Sequence, residues 1–494
     1  MSKELTKLQD IHTYDPVDPK KLTKKQRMDA LNSLMFLIEK RNGAVKERAC
    51  ADGSKQRKWV KYGKEDATPL TCSNEGVMIT STIVAQKERD VTIIDIPSAF
   101  LHALTDEEIY MLLRGPIAEL MVMVDPSWYY QYITYNSKGQ ALLYVITNKT
   151  LYGLLKSTLQ FYKKFRSDIE AYGFKVNPYN PCVAKTDLDS HQMTVTWHVD
   201  DLKVSNKYRF KITLFDQYLY TNYGEQMSVK RGQVQDYLGM DLDYSTKGEV
   251  KIGMIIYLQK VEDEFPEPIL GTAKSPSGKH LLQVRKDTDP QKQYLEETRA
   301  VQLHHVVAQL LFVSRCARQD IQTTISFLTS HVKKPGEDDW SKLVHCMKYP
   351  KSTKYIKLTL AVDTISIIKW WVDAYHHNHM YYRGHTGSMM SLVKGVGVSY
   401  SGKHKLNTKI STESELISSD YMLVKMLWSL YFIQAQGYSV DQKIMHQYNM
   451  ATMHLEINGS LSSSKRTKHI RARYFLSKIR RTLEKVKFNI TPLN

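Results

Sequence analysis

Alternating apolar and polar positions predict the strands of this chain. Between positions 193 and 204, apolar residues alternate with polar ones on both sides of an acidic pair, Asp200 and Asp201. A period of two is typical of a strand with one buried face, so this segment predicts a hairpin with two acids at its tip. Two further apolar segments, 91-VTIIDI-96 and 365-ISIIKWWVD-373, predict buried strands that each run up to an acid.

Apolar residues at spacings of three and four predict helices over 158–172, 300–333 and 412–435. These helices separate the predicted strands, which favours an α+β architecture with more than one domain. The chain has 494 residues, and a length of this order corresponds to about three domains.

The N-terminal region predicts one more helix. Thr23 and Gln26 fit a capping box, in which both side chains satisfy backbone N–H groups at a helix start. The helix would present an apolar face and stop at a glycine, and these residues are Leu31, Leu34, Met35, Ile38 and Gly43. Residues 1–20 contain two Asp-Pro pairs and little periodicity, so we expect them to form a loose leader.

Composition narrows the class of protein. The chain is 42% hydrophobic and 24% charged, which is ordinary for a folded protein, and its apolar runs are too short to span a membrane. The first residues are charged and polar, so no secretory signal is expected. The net charge of +18 favours a polyanionic partner, foremost nucleic acid, although a basic protein without such a partner has the same composition. Five scattered cysteines indicate a reducing compartment without a disulfide framework.

Three acids are the candidates for chemistry. Asp95 ends one predicted strand, and Asp200 and Asp201 occupy the hairpin tip. Carboxylates flanked by apolar strands repel one another and lose hydration unless a cation lies among them. Mg²⁺ binds a few carboxylates together with water and phosphate oxygens, and two such ions support in-line phosphoryl transfer. Taken alone, an Asp-Asp pair is more often a solvated turn.

The segments around these acids resemble a known family. They are 95-DIPSAFLHALTDEEIYM-111, 151-LYGLLKS-157, 198-HVDDLKVS-205, 237-YLGMDL-242, 311-LFVSRCARQDI-321, 411-STESELISSD-420 and 464-SKRTKHIRARYF-475. In this order and spacing they resemble the boxes of copia-type LTR-retrotransposon Pol polyproteins, a reverse transcriptase followed by an RNase H-like domain. The third segment is similar to the YVDD box, with His198 where tyrosine is usual. The resemblance covers about residues 45–490.

The resemblance implies a role for each of the three acids. Asp95, Asp200 and Asp201 would bind Mg²⁺ or Mn²⁺ and catalyse nucleotidyl transfer. Phe100 falls at the position of an aromatic steric gate against a ribose 2′-hydroxyl, although taken alone it is more often a core residue.

Further residues are implied to contact the substrates. Lys46 and Arg48 would bind the triphosphate of the incoming dNTP, unless they belong to a solvated basic loop. Tyr152 and Gly153 would lie beside the nucleotide, or simply form a helix-entry turn. Leu238 and Gly239 would hold the primer backbone near the acids, or form a bulge.

The implied RNase H-like site is degenerate. Asp373 and Glu415 match its first two acids, while Tyr448 stands at the third, and a phenol is a poor Mg²⁺ ligand at neutral pH. The box that holds the fourth acid is expected beyond Asn494. We therefore expect that RNase H activity is lost. The cluster 376-HHNH-379 could bind a metal, but no partner ligands at suitable spacing support this.

The resemblance implies a reverse transcriptase hand followed by an RNase H-like mixed α/β domain, within the α+β class that the pattern predicts. The expected division is a leader with an N-terminal helix at 1–44, fingers and palm at 45–225, thumb and connecting region at 226–360, and a C-terminally truncated RNase H-like domain at 361–494. The expected function is RNA-directed DNA polymerisation on an RNA template with a DNA primer and dNTPs. The alternative is a non-catalytic nucleic-acid-binding remnant. We expect no membrane association. The expected location is the cytoplasm, in virus-like particles, with the nucleus as a second location.

Overall fold

The computed structural model of the chain describes residues 3–39, 45–56, 70–224, 226–285, 289–362, 364–379, 382–392, 394–458 and 486–490. These residues form four β-sheets with helices packed between them, which is a mixed α/β fold.

The first sheet, here called the N-terminal sheet, has six strands in the order β1-β7-β5-β2-β3, with β6 also paired to β7. The strands are β1 (Tyr14–Pro16), β2 (Leu31–Glu39), β3 (Val45–Ala51), β5 (Tyr110–Arg114), β6 (Thr134–Tyr135) and β7 (Ala141–Thr147). The helices that accompany it are α1 (Lys3–Asp10), α2 (Lys24–Asp29), α4 (Pro116–Val124) and α5 (Pro126–Tyr129).

Two predictions for the N-terminal region are wrong. The expected leader is ordered, because α1 buries Leu5 and Leu8 and β1 pairs with β7. The predicted helix starts with the capping box at Thr23, but α2 ends at Asp29 and the following residues form β2. Pairing of β2 with β3 and β5 satisfies its backbone, and these long-range partners outweigh the helical spacing of its apolar residues. Gly43 lies outside the described residues.

The second sheet, here called the palm sheet, has six strands in the order β12-β4-β11-β10-β9-β8. The strands are β4 (Asp90–Asp95), β8 (Lys175–Asn177), β9 (Asn180–Leu188), β10 (His191–His198), β11 (Asp201–Asn206) and β12 (Ser228–Arg231). The helices that cover it are α3 (Asn74–Gln86), α6 (Ser157–Tyr172) and α7 (Arg209–Tyr223). The predicted strand at 91–96, the hairpin around 200 and the helix at 158–172 are confirmed.

Both faces of the palm sheet are covered by helices. On one face, Trp197 of β10 packs against Phe165 of α6, with ring centroids 5.3 Å apart. On the other face, the fully buried Lys203 of β11 donates hydrogen bonds to Thr80 and Ser81 of α3. The strands that carry the acids are therefore held between two layers of helices.

The third sheet has four strands in the order β13-β14-β15-β16. Four helices of the same region of the chain accompany it. Its strands are β13 (Val234–Tyr237), β14 (Met240–Asp243), β15 (Glu249–Gly253) and β16 (Leu358–Ala361). The helices are α8 (Ile255–Asp263), α9 (Glu297–Cys316), α10 (Gln322–Thr329) and α11 (Glu337–Thr353).

The single helix predicted over 300–333 is two helices. α9 ends at Cys316, a 3₁₀ turn spans Gln319–Ile321, and α10 follows. The break turns Arg318 into the interior, where its guanidinium hydrogen bonds to Asp320 and to Thr353 at the end of α11.

The fourth sheet has five strands in the order β19-β18-β17-β20-β21 and, with its two helices, forms what is here called the C-terminal domain. The strands are β17 (Ile367–His379), β18 (Arg383–Ser391), β19 (Val398–Asn407), β20 (Gln442–Gln447) and β21 (Lys487–Ile490). The helices are α12 (Ser411–Ala435) and α13 (Met450–Asn458). The predicted strand and helix of this region are confirmed. α12 is long and apolar enough to cross a membrane, but most of it is buried within the fold, as in a core helix.

Candidate active site

The three candidate acids lie together at one edge of the palm sheet. β4 ends at Asp95, which is the direct antiparallel partner of Asp201 at the start of β11. A tight turn joins β10 to β11, and Val199 in this turn has a φ of +58°. The backbone N–H of Ile96 donates to the carbonyl of Asp200 at 3.0 Å, which ties the turn to the end of β4. The local strand geometry thus brings the predicted acids to one place.

The three carboxylates repel one another, so a bound cation would stabilise this cluster. Burial raises the pKa of Asp201 to about 6, and the negative charges of Asp200, Asp95 and Asp236 act in the same direction. Within the described ranges, no three His, Cys, Asp or Glu side chains form a ready-made metal cage. Mg²⁺ is usually held by one or two carboxylates and completed by water and phosphate oxygens, so this donor set fits it.

An aromatic and cationic wall lies beside the acids. The guanidinium carbon of Arg48, on β3, lies 4.9 Å from the ring centroid of Tyr152. The Tyr152 ring meets Phe100 edge-on, with centroids 4.8 Å apart. Burial raises the pKa of Tyr152, with the charge of Asp200 as the next cause. Three of the residues predicted to contact the dNTP are therefore joined through Tyr152, on which the charges of Asp200 and Asp95 act. The side chain of Lys46 lies outside the described residues.

Gly153 makes this wall sterically possible. Its φ is +93°, and a Cβ at this position would lie 2.0 Å from the carbonyl oxygen of Ala51. The N–H of Ala51 donates to the carbonyl of Tyr152 at 2.8 Å, so the end of β3 lies directly on this segment. A glycine is required here because any side chain would push β3, and Arg48 with it, away from Tyr152.

Leu238 and Gly239 form the two-residue loop between β13 and β14. Both have positive φ, 54° and 75°, as in the tight turn that favours a hairpin. The hydroxyl of Tyr237 donates to the carbonyl of Thr196 on β10 at 3.2 Å. This contact anchors the loop to the strand that leads to the acids.

A second pair of acids lies in the C-terminal domain. Burial raises the pKa of Glu415, on α12, to about 8, and the neighbouring charge of Asp373 is the next cause. Asp373 is exposed on β17. Tyr448 follows β20 and lines the same cavity as Asp373 and His446. The structure therefore joins the two acids that the sequence paired and places the tyrosine close to them.

Among the described residues, the histidines of 376–379 belong to no group of three potential metal ligands, and His376 and His377 both hydrogen bond to Thr408. His379 is buried, and its Nε2 lies 2.8 Å from Nδ1 of His385 on β18. His385 in turn hydrogen bonds to the hydroxyl of Ser401 on β19 at 2.7 Å. These side chains link three strands of the C-terminal sheet.

Sequence reasoning missed Lys203 and Asp236. In the part of the chain that the structure describes, Lys203 donates hydrogen bonds to hydroxyls and to no carboxylate, and burial lowers its pKa to about 7. A lysine between Leu202 and Val204 is a visible signal, since a strand covered on both faces buries every position. Asp236 contributes to the field at Asp201 from another sheet, and no local pattern shows this.

Comparison with known proteins identifies the class. Residues 34–268 match the family described as reverse transcriptase (RNA-dependent DNA polymerase). The chain aligns over 94% of its length with a foamy viral protease-reverse transcriptase, solved in complex with double-stranded DNA, at a TM-score of 0.51 and 11% identity. That alignment covers 66% of the viral chain and concerns the fold alone. The predicted reverse transcriptase-like fold is confirmed, and this protein carries a reverse transcriptase domain.

A second similarity is to a retrotransposon polyprotein. Over 432 residues the chain is 22% identical to the retrovirus-related Pol polyprotein from transposon TNT 1-94 of Nicotiana tabacum. The match covers 87% of this chain and 31% of the relative, so the chain spans about a third of that polyprotein's length. Together with the match at residues 34–268, this similarity supports the resemblance to a copia-type Pol fragment that the motifs indicated.

Proposed function

We propose that this chain is an RNA-directed DNA polymerase, which transfers nucleotides from dNTPs to the 3′-hydroxyl of a primer. The observation that carries the proposal is the convergence of Asp95, Asp200 and Asp201 at one sheet edge within a reverse transcriptase domain. Bound Mg²⁺ or Mn²⁺ would supply activation of the primer hydroxyl and charge neutralisation at the triphosphate.

The chain's own residues have distinct parts in this reaction. The three carboxylates hold the metals, and the cation of Arg48, with Lys46 from the same strand, attracts the triphosphate. Phe100 and Tyr152 form an aromatic wall against the sugar and base, and their contact supports a gate against a 2′-hydroxyl. Leu238 and Gly239 position the primer strand.

Nucleic acid is the proposed partner of this basic protein. The net charge of +18 gives a general attraction for an RNA template paired with a DNA primer. The proposed division keeps fingers and palm at 45–225, the thumb and connecting region at 226–360, and an RNase H-like domain from 361. The first two sheets extend past the first of these ranges, since β1 and β2 lie before residue 45 and β12 lies after residue 225.

We propose that the RNase H-like domain does not cleave RNA. Asp373 and Glu415 remain together, but the position expected to supply a third carboxylate holds Tyr448. The purified protein is expected to leave a labelled RNA–DNA hybrid intact. Cleavage that is lost in Asp373→Asn would contradict this proposal.

Primer extension tests the polymerase. Oligo(dT)-primed poly(rA) with Mg²⁺ and dTTP is expected to be extended by the native protein and not by Asp200→Asn/Asp201→Asn. The matched control is Asp10→Asn/Asp263→Asn, which removes two exposed carboxylates at the ends of α1 and α8. Equal loss of extension in both double variants would refute the assignment.

The alternative is a nucleic-acid-binding remnant without turnover, and the substitution at Tyr448 is the observation that favours it. A folded native protein that binds the primer–template but extends none of it would establish this alternative. Binding alone does not separate the two, since phosphate contacts dominate affinity in both.

A further inference from the structure

The C-terminal domain packs directly against the palm sheet. The contact is made by the C-terminal half of α12 and the residues that follow it. Three hydrogen bonds across the contact join Trp428 to Tyr179, Asn177 to Phe432 and Gln192 to Gln436. One continuous apolar core includes residues of both domains. The two domains therefore form one packed body around this contact.

A buried arginine lies at the centre of this contact. Arg89 is 9% exposed and donates to Tyr438 Oη at 2.8 Å, to Gln192 Oε1 at 3.1 Å and to Thr194 Oγ1 at 3.1 Å. All three partners are neutral, and burial lowers the pKa of the guanidinium. Lys87 lies over the Tyr438 ring at 5.8 Å. The charge of Asp187 acts on the guanidinium from nearby, but the printed hydrogen bonds go to neutral groups, and the loss of one from a buried cation is costly.

Arg89 and two of its partners, Gln192 and Thr194, lie on or beside strands that lead to the acids. Arg89 immediately precedes β4, which ends at Asp95. Thr194 is on β10, which runs into the turn that holds Asp200. The contact with Tyr438 therefore lies towards one end of β4 and β10, and the catalytic carboxylates lie at the other end of β4 and in the turn after β10.

We propose that Arg89 and Tyr438 are positioning residues for nucleotide transfer, and that the C-terminal domain supports the catalytic strands of the palm. This inference rests on the proposed polymerase function. Neither side chain touches the substrate; Tyr438 fixes Arg89, and Arg89 fixes the starts of β4 and β10 relative to each other. A domain that does not cleave RNA thus contributes to polymerisation.

The test uses two variants that leave the arginine in place. Tyr438→Phe and Thr194→Val each remove one hydroxyl partner and keep nearly the same shape. Each is expected to lower kcat for dTTP about five- to tenfold while KM changes less than about twofold, since the dNTP contacts lie elsewhere. Amide hydrogen exchange in β4 and β10 is expected to become at least about tenfold faster. The control is Tyr375→Phe, because Tyr375 is 62% exposed on β17.

The possible results are distinct. Lower kcat together with faster exchange in both variants supports the inference. Unchanged kcat, or lower kcat without faster exchange in β4 and β10, overturns it while the polymerase function stands. A native protein that extends no primer overturns the proposed function and this inference with it.

Discussion

Asp95 and Asp201 are direct partners across β4 and β11. Side chains at directly opposed positions lie on the same face of a sheet about 5 Å apart at Cβ, so the two carboxylates repel each other in the folded state. Without a cation, Asp201→Asn is expected to raise the free energy of unfolding at pH 7.5 by about 1 kcal/mol, although it abolishes primer extension. Urea unfolding in EDTA measures the first effect.

Added Mg²⁺ tests whether the stability gained in Asp201→Asn comes from relief of repulsion at a metal site. It is expected to stabilise the native protein more than Asp201→Asn, because a ligand stabilises only the state that binds it. Asp187→Asn, on the neighbouring strand β9, serves as the control and is expected to respond to Mg²⁺ as the native protein does. A larger Mg²⁺ effect in Asp201→Asn would exclude these acids as the metal site.

Gly153 provides a steric test of the nucleotide wall. Gly153→Ala places a Cβ against the carbonyl oxygen of Ala51 and displaces β3, so KM for dTTP is expected to rise about tenfold or more. Gly139→Ala is the matched control, since Gly139 also has a positive φ, +74°, but nothing lies within 4 Å of its Cβ position. Steady-state extension at varied dTTP compares them; equal effects on KM would attribute the change to backbone strain alone.

Arg318 provides a test of the break between α9 and α10. The side chain is 1% exposed, and its guanidinium spans from Asp320 to the carbonyl and hydroxyl of Thr353. Lysine cannot form this planar set of hydrogen bonds, so Arg318→Lys is expected to lower the free energy of unfolding by about 3 kcal/mol. Arg315→Lys, at an exposed position of α9, is expected to change it by less than about 0.5 kcal/mol in the same urea titration.

The histidine pair of the C-terminal sheet predicts a loss of stability in acid. Burial lowers the pKa of His379 to about 3 and of His385 to about 4, below the usual value near 6.5. The other titratable groups around the pair are His331, Lys403 and His404. The unfolded chain therefore binds protons that the folded chain excludes as pH falls from about 6.5 to 4, and the free energy of unfolding falls with it.

The measurement is urea unfolding between pH 7 and 4.5. His385→Gln is expected to reduce the slope of this acid loss by up to about 1.4 kcal/mol per pH unit, which corresponds to one proton. His305→Gln is the control, because the His305 side chain is 65% exposed. An unchanged slope in His385→Gln would show that this histidine is protonated in the folded protein.

Sequence was sufficient where structure is local. The acid hairpin follows from period-two patterning, and the capping box at Thr23 is a contact over three residues. The helix predicted from Leu31 onward failed, because the pairing of β2 with β3 and β5 depends on residues that no local pattern connects. The contact of Arg89 with Tyr438 spans 349 positions, and a single sequence carries no trace of it.

The N-terminal helix has a consequence for the extent of the folded domain. Leu5 and Leu8 of α1 are each 1% exposed and belong to the same core as Tyr129. The family match begins only at residue 34. A recombinant protein that starts at residue 34 would lack α1, and the apolar residues that α1 covers would be exposed to water. We expect such a protein to aggregate or to be digested by proteases. The folded domain therefore begins before the region that matches the family.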